Sequence, residues 1–80
     1  LVLYYFIMKN FGGYFIVIVD KNGYYSSESI DPSITDPAIA IIIAKKSAKD
    51  NNSCVVLWYR ENFRRVNYAL ITPDGRIMYL

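Results

Sequence analysis

The sequence predicts an α+β domain, two three-stranded antiparallel β-meanders flanking one α-helix (βββ-α-βββ), as a single small domain. Three observations predict it. β-rich runs punctuated by turn residues occupy both ends of the chain, and a capped Ala/Ile/Lys segment lies between them. A shift of 52 residues also lays the first 28 residues over the last 28 without a gap. Asn10-Phe11 then falls on Asn62-Phe63, Gly23 on Gly75 and Phe6 on Trp58, so turns and apolar runs coincide. Only three of the 28 pairs are identical. The overlay is therefore an argument about shape and not about ancestry.

A strand is expected over residues 1–9, apolar on both alternating sets and so covered on both sides. Its eight opening apolar residues lack the length of a membrane span and the basic lead of a signal peptide. Asn10 to Gly13 turns the chain into a second strand over 14–20, again apolar on both faces. Asn22-Gly23 is a strong hairpin signal, and the short return over 24–27 carries serines suited to a wet edge. Asp36-Pro37 marks a helix start, with Asp as N-cap and Pro where its missing N–H is harmless. The helix is expected over 37–50, packing through Ile39, Ile42 and Ile43, with Lys45, Lys46 and Lys49 near its C-terminal end.

Strands over 54–60, 64–72 and 76–80 complete the second meander, turned at Glu61-Asn62-Phe63 and Pro73-Asp74-Gly75. The stretch from Cys54 to Ile71 holds the sole Trp and three of the four arginines, which places its hairpin at or near the middle of any sheet. Strict alternation puts Val66, Tyr68 and Leu70 on one face of the returning strand, and Arg65, Asn67, Ala69 and Ile71 on the other.

Composition bounds the function. A chain of 80 residues supplies only a marginal core, and one cysteine with no histidine provides neither a disulfide nor a structural zinc site. Apolar residues are 54% of the chain and include thirteen aromatics, more than so small an interior can hold. One helix covers one face of the sheet, so either the sheet folds on itself as a small barrel or sandwich, or the surplus is covered by a protein partner or a second copy of the chain, a dimer first, which is the reading adopted. Because a chain does not normally start with Leu, the sequence reads as a piece or a processed product.

No catalytic, cofactor or metal residues stand out. Without histidine, a Cys54 nucleophile lacks its usual base, and Asp20, Glu61 and Asp74 sit in turns where carboxylates satisfy backbone groups. A site shared across an oligomer interface is the one enzymatic route left. The expected function is a small non-enzymatic interaction module that binds protein through a sheet face or edge, serving as an assembly subunit or an inhibitor in the cytoplasm.

The candidate binding residues are Trp58, Tyr59, Arg60, Phe63, Arg64, Arg65 and Tyr68 of the hairpin, with Tyr24 and Tyr25 beside Gly23. Aromatics mixed with arginines also suit single-stranded nucleic acid, whose bases stack while guanidinium groups meet phosphates. Against that stand a net charge of only +2 and the placing of Arg64 and Arg65 on opposite faces. The ordered aromatic-basic pattern of RNA-recognition domains is missing.

Overall fold

The computed structural model describes residues 13–20, 22–23 and 25–80. The elements are β1 (Tyr14–Val19), β2 (Tyr25–Ser29), α1 (Pro37–Asn51), β3 (Cys54–Glu61), β4 (Arg64–Ile71) and β5 (Ile77–Tyr79). All strand pairs are antiparallel, and the sheet runs in the order β2-β1-β3-β4-β5. The strand expected over residues 1–9 lies outside the described residues, as does Tyr24.

The expected arrangement of two meanders is overturned. β1 lies along β3, from Tyr14 opposite Tyr59 to Val19 opposite Cys54, so the described strands form one continuous five-stranded sheet with one helix. The physical reason is the backbone of β3. Left as the boundary of a separate meander, its outer edge would present a row of unpaired N–H and C=O groups, and β1 satisfies them. A shift of 52 residues carries β1 and β2 onto β4 and β5, and these two hairpins sit on opposite sides of β3.

Local chemistry fixes the helix ends. Asp36 is in extended conformation, and its carboxylate accepts a hydrogen bond from the Ala38 N–H at 2.9 Å. At the other end Asn52 adopts the left-handed conformation (φ 47°), donating its N–H to the Lys49 carbonyl while the Ser53 N–H reaches Ala48. Asparagine substitutes there for the glycine that usually ends helices in this way.

The helix packs on the sheet through small residues. Ala40, Ala44 and Ala48, spaced four apart, are 0% exposed and Ile41 is buried. The isoleucine stripe expected to face the core is corrected by this arrangement. Ile43 is half-buried against the core, but Ile39 is 46% and Ile42 65% exposed on the outer side. The sheet already fills the layer with Ile16, Val55, Leu57 and Ile71, leaving room for alanine methyl groups and little else at close-packed density.

Candidate binding surfaces

The covered face of the sheet is set by alternation along β1 and β3. Tyr14, Ile16 and Ile18 share it with Val55 and Leu57, and the core closes with Ile30, Ala69 and Ile71. The opposite face carries Phe15, Val17 and Val19, then Val56, Trp58 and Arg60.

In β4 the alternation breaks. Leu57 is opposite Ala69, yet Trp58 is opposite Asn67, so Tyr68 is an extra residue with no cross-strand partner. This is a β-bulge. It puts Ala69 and Ile71 on the covered face together with Val66, opposite Tyr59, and turns Arg65, Asn67 and Leu70 to the open face. The sequence expectation that Arg65, Asn67, Ala69 and Ile71 share one face is corrected accordingly. Nothing in the composition of Val66 to Leu70 signals a bulge, since no glycine marks it.

The bulge assembles a cluster on the open face. Phe15 from β1 stacks on Trp58 with ring centroids 4.4 Å apart and planes 18° from parallel. The Arg65 guanidinium from β4 lies 4.7 Å from the indole centroid, and that of Arg60 lies 5.5 Å from the Phe15 ring and 5.7 Å from Trp58. Arg65 Nε donates to Asn67 Oδ1 at 2.8 Å. Trp58, flanked by rings and guanidinium, is only 8% exposed, and its buried Nε1 has no hydrogen-bond partner among the described residues. Arg60 and Arg65 stand directly opposite each other across β3 and β4.

The other hairpin aromatics go elsewhere. Tyr59 and Tyr68 join Tyr14 and Tyr79 in a chain of edge-to-face contacts with centroids 5.7 to 6.4 Å apart. Burial raises the Tyr14 phenol above its ordinary range, with the neighbouring Tyr68, Tyr59 and Asp36 adding to the effect. Arg64 is exposed opposite Glu61 on the tyrosine side of the sheet. Phe63 occupies the turn with Asn62, both at positive φ (64° and 51°), and is 93% exposed. Such a two-residue left-handed turn matches the twist of a hairpin but is built most easily from Asn-Gly, so a bulky Phe there is strained. Tyr25 is 75% exposed on the β2 edge. The structure therefore brings Trp58, Arg60 and Arg65 together, adds Phe15 and Asn67 to them, and separates them from Tyr59, Tyr68, Arg64, Phe63 and Tyr25.

Among the described residues no group of three His, Cys, Asp or Glu side chains is placed to hold a metal ion, and Cys54 is a free, half-buried thiol. Asp31 and Asp74 titrate below the ordinary carboxylate range. The Ser33 backbone N–H and hydroxyl hold Asp31 down, and the Thr72 hydroxyl followed by Arg76 does so for Asp74. These contacts close turns, with Thr72 also accepting from the Arg76 N–H at 3.0 Å. No helix among the described residues is long and apolar enough to cross a membrane. Comparison with protein-family models, with curated proteins and with solved structures gave no match, so the surfaces themselves carry the functional argument.

Proposed function

We propose that this chain is a non-enzymatic protein-interaction module that self-associates, a dimer first, and serves as an assembly subunit or as an inhibitor seated on another protein. The observation that carries the reading is the inverted helix. A helix that turns alanines inward and leaves Ile39 and Ile42 exposed beside Lys46 and Lys49 has an outer face with apolar content that a monomer has no use for. Phe63, exposed on a strained turn, supports the same reading, because such strain persists where a side chain is needed at the surface. Location of the module in the cytoplasm is part of the same proposal.

Solution mass by light scattering tests the proposal. The wild-type chain should exceed the monomer mass, and Ile39→Asp with Ile42→Asp should reduce it to a monomer while shifting stability by no more than about 0.5 kcal/mol, as for surface sites. A wild-type monomer over the accessible concentration range would overturn it.

A second reading, binding of single-stranded nucleic acid, rests on the exposed Arg60 and Arg65 beside aromatic rings. The indole is already engaged by Phe15 and Arg65, which weakens it as a platform for bases. Binding to oligonucleotide that falls steeply with rising salt would favour this reading.

A further inference from the structure

Arg60 and Arg65 pose an energetic problem. Like charges directly opposite on neighbouring strands destabilise a sheet. All seven carboxylate side chains of the chain, Asp20, Glu28, Asp31, Asp36, Asp50, Glu61 and Asp74, fall among the described residues. Among the described residues the ion pairs are Lys46 with Asp50 and Asp74 with Arg76. Among the described residues neither Arg60 nor Arg65 has an anionic partner, and both are exposed. Their charges are held over Phe15 and Trp58, which fixes the guanidinium groups while leaving most of their N–H donors unused. The bulge that turns Arg65 and Asn67 to this face is itself a device that sheets use to re-aim side chains near functional sites. The orphaned Trp58 Nε1 adds an unsatisfied donor to the same cluster.

We propose that the patch formed by Phe15, Trp58, Arg60, Arg65 and Asn67 binds a carboxylate of an acidic, apolar-flanked segment of a partner protein. The proposal rests on the reading of the chain as a protein-interaction module and names its partner's chemistry. A carboxylate meets paired guanidinium groups through short, charge-assisted, bidentate hydrogen bonds, and it removes the repulsion between the two arginines. Half-buried Val17, Val56 and Leu70 on the same face supply apolar contact for the residues beside the carboxylate. Bases are less well served, because Phe15 and Trp58 stack on each other and Arg65 lies over the indole.

Trp58, the sole tryptophan, reports on the patch by its own fluorescence. The full chain is titrated with an acetylated, amidated peptide alternating Glu and Leu, with the same peptide carrying Gln for Glu, and with oligothymidylate. Saturable change with the Glu peptide and about tenfold weaker response to the Gln peptide is the expected result, the size following from loss of charge-assisted hydrogen bonds. Arg60→Gln with Arg65→Gln should lose the response to the Glu peptide while keeping the circular dichroism of the wild type. Equal response to the two peptides, response to neither, or a stronger response to oligothymidylate overturns the proposal. The wild-type comparison of the two peptides stands whether or not the variant folds. If light scattering still shows self-association when the peptide fails, only this patch is wrong. If both fail, the reading as a protein-interaction module falls with it.

Discussion

The two faces of the sheet are made from the same strands and yet obey different rules. On the covered face Val55, Leu57, Ala69 and Ile71 are 0% exposed in one core with the helix alanines, so hydrophobic burial governs these positions. On the open face Phe15, Val17, Val56 and Leu70 are half-buried, and two arginines face each other without a counter-ion among the described residues. The difference teaches that folding is carried by one side. The other side tolerates a charge arrangement that folding alone would not favour.

The largest expected effect tests that division directly. Leu57→Ala should lower unfolding free energy by about 2–5 kcal/mol, the cost of a cavity in a packed core. Val56→Ala, one residue along on the open face, should cost less than about 1.5 kcal/mol, because its site is already partly wet and only part of its apolar area is at stake. Urea titration of both variants decides the matter, and equal losses would mean that the open face is as sealed as the other.

A smaller effect is expected where the two faces meet the hairpin tip. Phe63→Gly relieves a side chain held at φ 64° and should raise stability by up to about 1 kcal/mol, the left-handed penalty less the entropic cost of glycine. Its thermal midpoint should rise while any self-association that uses Phe63 weakens. A lower midpoint would show that the exposed ring packs within the chain.

The smallest effect concerns pH and belongs to the covered face. The Tyr14 phenol titrates above its ordinary value of 10.0, so the unfolded chain releases this proton first. The corresponding stability is fully present below pH 10 and declines as pH rises from there through the folded value. Denaturant midpoints measured across that alkaline range should fall for the wild type and fall less for Tyr14→Phe.

Local features of the fold were legible because they rest on local chemistry. Asp36-Pro37 announces the start of α1, and Asn22-Gly23 a hairpin turn that the structure places between β1 and β2. The order of strands was not, since pairing of β1 with β3 joins segments some forty residues apart and no short-range signal encodes it. The helix face was misread for a different reason. Ile39, Ile42 and Ile43 outrank alanine in hydrophobicity, but the volume left over Leu57 and Ile71 admits alanine, and a sequence does not display volumes. Of the candidate surface, Trp58, Arg60 and Arg65 were visible as aromatics mixed with cations. Phe15 and Asn67 were not, because their membership depends on the register of β1 and on the extra residue in β4.

That extra residue has a consequence for how the chain tolerates change. A strand without a bulge has one rhythm of sensitive and permissive positions, and Tyr68 imposes a change of phase on it. Saturation mutagenesis of β4 read out by foldedness should find the intolerant sites at Ala69 and Ile71 on one beat, and the lenient sites at Arg65 and Asn67 on the other, with a skipped beat between. Deleting Tyr68 would restore an unbroken rhythm with Arg65 and Asn67 still on the open face and Ala69 and Ile71 still on the covered one, at the loss of the Tyr68 ring contacts. A single codon thus sets the rhythm of the strand without deciding which of its sides is buried and which presents charge.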